Sequence, residues 1–232
     1  MRIFLTLLTV VTFGLTGPAQ SQNMPVVVEL YTSQGCSSCP PADEILTELS
    51  SRSDVIALAL HVDYWDYLGW KDAFGSKTYS KRQRDYAAAA KQHTVYTPQM
   101  IVQGHSYAVG NRLSEVRRAI AMHKDDVDEV ELTLHRNGNQ LSVGVRAKNG
   151  DVGRSIIQVV RYIPQATVRI EAGENAGRNI LYSNIVTQWT QIGRWNGSDE
   201  ITETTTLTGD EQVVVLVQAA GPGRILAAGR LP

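Results

Sequence analysis

The only two cysteines of the chain, Cys36 and Cys39, stand in the stretch YTSQGCSSCPPADEILTEL, between an apolar β-branched run and a helix-like pattern. Two thiols at this spacing can join without unfolding the helix that follows. Closing so small a loop removes little chain entropy, so a purely stabilising bridge is a poor explanation for them. A redox dithiol and a clip for a soft metal, copper or zinc, are the two chemical readings. A zinc site generally wants four ligands, and no second Cys or His pair occurs at matching spacing. His61, His93, His105, His123 and His135 are scattered singly. The redox reading is therefore preferred, with metal binding as its alternative.

The chemistry of the motif follows from ionisation. The thiolate is the nucleophile, and its pKa falls at a helix N-terminus, where free amides and the helix dipole favour negative charge. Cys36 would attack a partner disulfide, and Cys39, one turn along, would resolve the mixed disulfide. Ser37 and Ser38 between them bring no cation, so thiolate stabilisation is expected to be modest. Pro40 and Pro41 suit a first helical turn and no deeper position. The helix therefore begins late or has a distorted first turn, and its dipole acts on Cys36 less directly.

The rest of the sequence sets the context. Residues 1–21 carry one positive charge at Arg2, an apolar run from Ile3 to Leu15, then small and polar residues, with cleavage expected near Ala19 or Ser21. This is the outline of an export signal. The run is too short for a stable span, and no other stretch is long and apolar enough for one. The expectation is an exported protein, periplasmic or secreted, where thiols close together tend to oxidise. A net charge of -1 gives no reason to expect nucleic acid or an anionic membrane as a partner.

Residues 25–126 alternate between strand-like and helix-like patterns. VVVELYT and VIALALHV read as buried strands, and Ala42, Ile45, Leu46 and Leu49 form one helix face. SKTYSKRQRDYAAAAKQH is rich in helix formers. PQMIVQGHSYAVG reads as a hairpin turning at Gln103-Gly104, and Leu113, Val116 and Ile120 mark a last helix with Ser114 as its expected cap. Residues 127–232 read as short strands split by Gly, Asn and Asp, beginning with a hairpin at Asn137-Gly138. The expected organisation is an α/β domain over 25–126 and an all-β, sandwich-like domain over 127–232. In the second unit, GENAGRNILYSNIV alternates polar and apolar residues. It reads as a solvated strand, or as one that packs on the first unit and lines its groove.

A buried strand, then Cys-x-x-Cys opening a helix, then Thr-Pro before a strand and hairpin resembles the thioredoxin fold. More narrowly, ELYTSQGCSSCPPAD together with HVDYWDYLGWKD resembles a family of exported thioredoxin-like proteins catalogued as a domain of unknown function. The resemblance implies Cys36 as exposed nucleophile and Cys39 as buried resolver. It implies a cis bond before Pro98, with Thr97 at the docking position. It also places Glu29 where thioredoxin keeps a buried acid, able to take a proton from Cys39; a hydrogen-bonded glutamate without a role is the alternative. Asp63 and Trp65, with His61, would form a wall of the substrate groove or hold structure, while Tyr67 and Trp70 would anchor the Ser76–His93 helix. The implied activity is thiol–disulfide exchange with an exported protein or a small thiol, without a cofactor. A non-catalytic binding module is a further alternative.

Overall fold

The computed structural model describes residues 24–126 and 128–231; the expected export signal lies outside the described residues. The elements run β1 (Val26–Thr32), α1 (Pro40–Ser50), β2 (Val55–His61), α2 (Lys77–Ala89), β3 (Gln99–Val102), β4 (Ser106–Val109) and α3 (Leu113–His123). There follow β5 (Val130–Asn137), β6 (Gln140–Ala147), β7 (Ser155–Arg169), β8 (Asn179–Trp195), β9 (Ile201–Thr206), β10 (Gln212–Ala219) and β11 (Ile225–Arg230). The protein is mixed α/β and mostly β, with one eight-stranded sheet in the order β11-β10-β7-β8-β2-β1-β3-β4 and a three-stranded sheet in the order β5-β6-β9.

Strand alternation gives β1 and β2 two faces with different partners. Val26, Val28 and Leu30 of β1, with Val55, Ala57 and Ala59 of β2, meet Ala42, Ile45, Leu46 and Leu49 of α1 and Val116 and Ile120 of α3. Each Leu or Ile buried there contributes roughly 1.5–3 kcal/mol. Val27 and Tyr31 point the other way and meet Tyr79 and Tyr86 of α2 together with Val160, Tyr162, Val186, Val214, Leu216 and Ile225.

The expected boundary near 126 is crossed by the sheet. β8 pairs in parallel with β2 at Ala59 and Ile185, and Asn184 Nδ2 adds a bond to the Ala57 carbonyl oxygen at 2.8 Å. The far edge curls back, where Ile225 N donates to the Gln103 carbonyl oxygen at 3.0 Å. Gln103 also spans the halves with its side chain, accepting from Val27 N at 3.0 Å and donating to the Ile225 carbonyl oxygen at 2.9 Å. The three-stranded sheet packs Leu141, Val143 and Val145 on Val159, Val215 and Val217. The second half thus has two facing layers, one of them continuous with the first half's sheet.

Two local expectations change. In place of short strands, β7 runs 15 residues past Pro164, because the ladder with β8 skips that residue and the opposed Asn184, whose φ is +48°. The last helix is not capped by Ser114: Arg112 precedes its first residue, and the Glu115 carboxylate accepts from Val109 N at 3.2 Å.

Candidate functional site

Cys36 and Cys39 are joined by a disulfide with a Cα–Cα distance of 5.4 Å, within the usual range. Cys39 is the N-cap of α1, and Pro40 and Pro41 open the helix. Neither proline carries an N–H, and the amides of Ala42 and Asp43 both donate to the Cys39 carbonyl oxygen, at 2.8 and 3.1 Å. Few donors are left over to favour a thiolate, and Cys36 lies three residues ahead of the first helical turn's start at Cys39. Cys39 is 0 % exposed, as expected of a resolver, but Cys36 is buried too at 5 % and is not the exposed nucleophile the resemblance implies. Cys36 lines a small open pocket of about 220 Å³ together with Ser37, Ser38, Trp65, Thr97 and Glu174.

The Thr97–Pro98 peptide is cis. The Thr97 carbonyl oxygen accepts from Ser38 Oγ at 3.5 Å, and its hydroxyl accepts from Trp65 Nε1 at 2.7 Å. Gly35 sits so close to Trp65 that a Cβ there would lie 3.2 Å from the Trp65 carbonyl oxygen. Trp65, Thr97 and the cysteine pair therefore form one wall-and-floor arrangement.

Asp63 and Glu29 are engaged elsewhere. Asp63 accepts from Ser80 Oγ at 2.5 Å and donates its amide to the same oxygen at 3.1 Å, tying the end of β2 to α2. Glu29 shares the β1 face of Val27 and Tyr31, opposite the face that α1 covers. Its carboxylate accepts two bonds from Arg82 at 2.8 Å each and one from Tyr86 Oη at 2.8 Å, with Tyr31 Oη at 2.9 Å. It is a fully paired buried acid on the wrong side of the sheet for Cys39. Tyr67 is 75 % exposed, its ring lying 6.2 Å from that of Trp65 rather than against α2. Trp70 instead donates Nε1 to Gln34 Oε1 at 2.8 Å, and Tyr64 bonds α2 through Gln83 at 3.0 Å.

A polar layer that the sequence does not announce lies against the first turn of α1, where the Asp43 amide bonds the Cys39 carbonyl oxygen. Asp43 is on α1, four residues after Cys39, and is buried. Thr32 Oγ1 donates to its Oδ1 at 2.9 Å. Burial pushes its carboxyl up to about 7, and the neighbouring His61 and the Thr32 bond offset part of that rise. His61 Nδ1 lies 2.7 Å from Asp72 Oδ2, both side chains at 0 % exposure. Burial alone would raise Asp72, but His61 and the amides of Gln34 and Phe74 outweigh it and hold the carboxyl below its ordinary value. Asp72 is then a carboxylate, so His61 Nδ1 carries the hydrogen of that bond.

The second half supplies part of the site. The loop between β7 and β8 brings Asn175, 2 % exposed, whose Nδ2 donates to the carbonyl oxygens of Gln34 at 3.0 Å and Cys36 at 2.9 Å. Glu174 accepts from the Ser37 amide at 3.3 Å. Gly173 makes the approach possible, with φ +75° and space for a Cβ only 3.2 Å from Trp70 Cβ. The polar strand with its Gly-rich lead-in thus packs on the first half, the sharper of its two sequence readings.

Fold and site together define a mixed α/β protein whose cysteine-pair mouth is built by both halves of the chain. The chain belongs to the family described as "Protein of unknown function (DUF1223)", whose model matches residues 27–218. It is similar to the crystal structure of protein AGR_C_4864 from Agrobacterium tumefaciens, with 32% identity and a TM-score of 0.76 over 89% of this chain and 93% of that one. It also resembles in fold HBP35 of Porphyromonas gingivalis, with 17% identity and a TM-score of 0.62 over 91% of this chain and 76% of that one. A comparison with curated proteins returns no match.

Proposed function

We propose that this protein is an exported thiol–disulfide oxidoreductase whose first half is thioredoxin-like. The observation that carries the reading is the bonded Cys36–Cys39 pair, with Cys36 lining a small pocket beside the cis Thr97–Pro98 bond. In exchange, the Cys36 thiolate attacks a substrate disulfide and one substrate thiolate leaves. Cys39 Sγ then attacks Cys36 Sγ and the second substrate thiolate leaves, so the substrate is reduced as the pair is oxidised; the reverse sequence oxidises a dithiol. Thr97 and Trp65 shape the face on which the substrate docks. The pairing of β2, β1, β3 and β4, with α1 and α3 on one face, supports the thioredoxin-like reading. The bonded cysteines and the character of residues 1–21 support an exported location.

The test is a trap. Cys39→Ser is expected to accumulate a mixed disulfide through Cys36, with an exported protein or a small thiol. Cys36→Ser is expected to lose insulin reduction. Retention of full exchange without Cys36 overturns the reading. Soft-metal holding by the same sulfurs requires the bond between them to open, and copper or zinc binding at one ion per reduced chain would favour that alternative.

A further inference from the structure

Cys39 poses a problem of proton balance. At 0 % exposure it has no contact with solvent, and a thiolate left there without compensation is costly. Opening the disulfide nevertheless sends the electron pair of the broken bond to its sulfur. A proton has to reach it from within.

Glu29 cannot supply it from across the sheet. The polar layer can. Five buried side-chain polar atoms among the described residues lack a partner, and four of them belong to this layer: Asp43 Oδ2, His61 Nε2, Tyr182 Oη and Gln34 Nε2. Buried polar atoms are seldom left so, and a cluster of them calls for an explanation. The four are close neighbours. His61 and Thr32 are register partners on adjacent strands, and Thr32 bonds Asp43. The His61 and Tyr182 rings meet edge to face at 4.8 Å. The Gln34 backbone N–H donates to Asp72 Oδ2 at 2.8 Å.

We propose that Asp43, backed by the His61–Asp72 pair, is the proton store of Cys39, giving the sulfur a proton when the disulfide opens and taking it back when it closes. The proposal rests on the exchange reading above. Asp43 is the proton donor; His61 is a positioning residue that stabilises its carboxylate, and Asp72 holds the His61 ring in place. The balance closes. A small thiolate RS⁻ attacks Cys36 Sγ, the bond to Cys39 breaks, and Cys39 Sγ takes the proton of Asp43. A second RS⁻ attacks the mixed disulfide and releases RSSR and the Cys36 thiolate. Two negative charges enter as thiolates, and two remain, on Cys36 and Asp43. The thiol is oxidised and the protein disulfide reduced. A carboxyl that titrates at about 7 can work in both directions near neutral pH.

The groups facing Asp43 are His61 from β2, Thr32 from β1, Tyr182 from β8, Asp72 from the segment before α2, and Glu44 on its own helix. His61 lowers the carboxyl's pKa, while Asp72 and Glu44 raise it.

The experiment uses the full mature chain and 2-mercaptoethanol. The rate of disulfide opening, referred to the reagent's thiolate concentration, is followed across pH. The unaltered protein is expected to lose about tenfold in rate as pH rises through about 7. Asp43→Asn should be slow and flat, and His61→Gln should move the bend to higher pH. Time-resolved difference infrared spectra at pH 6 should show transient loss of one protonated-carboxyl band as the disulfide of the unaltered protein opens. If a variant does not fold, that spectrum of the unaltered chain still decides. A pH bend shared with Asp43→Asn, or no loss of a protonated carboxyl, overturns the proposal while the exchange reading stands. A disulfide that exchanges with no thiol at any pH removes both.

Discussion

The side-chain amide of Asn175 donates to the carbonyl oxygen of Cys36 at 2.9 Å, across 139 residues of sequence. The backbone that carries the first sulfur is therefore held by the far half of the chain. Asn175→Ala removes the side-chain donor from the Gln34 carbonyl oxygen and leaves that of Cys36 with the Cys39 amide alone, and is expected to cost about 1–3 kcal/mol in denaturant unfolding. Asn175→Asp should cost more at pH 8, since a carboxylate would face two carbonyl oxygens.

Glu174 places a carboxylate on the amide next to Cys36. Glu174→Gln removes that charge, so the Cys36 thiolate forms more easily. Alkylation of the reduced protein at pH 7 is expected to speed up roughly twofold to threefold at low salt, and the gain should fade as salt rises. An unchanged rate at low salt would show that the carboxylate does not reach the sulfur's field.

The buried pair of Glu29 and Arg82 holds α2 to the sheet. Arg82 also lies 3.8 Å over the Trp189 ring and bonds Gln218, so it ties both halves together. Arg82→Met leaves a buried carboxylate with two tyrosine hydroxyls for company. The expected loss is about 3–5 kcal/mol, read as a shift in the urea midpoint. Arg82→Met with Glu29→Gln should recover much of it.

Asp43 also enters stability. Its carboxyl holds a proton more tightly in the folded chain, with a value of about 7 against an ordinary 3.8. Its contribution is greatest below about pH 4 and is lost as pH rises towards 7. Relative to Asp43→Asn, the unaltered protein should lose about 1.4 kcal/mol per pH unit across that window. Unfolding curves at a series of pH values check it, and parallel profiles for the two proteins would refute it.

A chain ending at residue 126 would lose the partners of Val27, Tyr31, Ile56 and Leu58 that come from β7, β8, β10 and β11. It is expected to collapse without cooperative unfolding and to bind a hydrophobic dye, unlike the whole protein.

The elements with strong local signals were legible. The β-branched runs of β1 and β2 and the helix face of α1 follow from side-chain period alone, and Ser76 caps α2 where the run of helix formers begins. The cysteine motif and Thr97–Pro98 are local as well. Asp43 was not legible, because within PPADEIL it reads as an ordinary polar helix residue. Its burial comes from Thr32 and His61 on two strands. Asp72 joins His61 from eleven residues away with no periodic signal. Asn175 sits in a Gly-rich loop whose sequence says turn and nothing about what it reaches. Glu29 was legible as a buried acid, but its partner Arg82 is 53 residues on, and the face it takes depends on where α1 packs.

Pro40 and Pro41 leave the mouth of α1 poor in amide donors, and Glu174 adds a negative charge beside it. Chemical surveys that hunt for hyper-reactive cysteines with small electrophiles reward open, ionised sulfur. This sulfur is bonded to Cys39 and only 5 % exposed, so such a survey would pass the protein by in silence. A disulfide-bearing probe shaped to lie between the Trp65 indole and the Thr97 backbone is the bait it calls for.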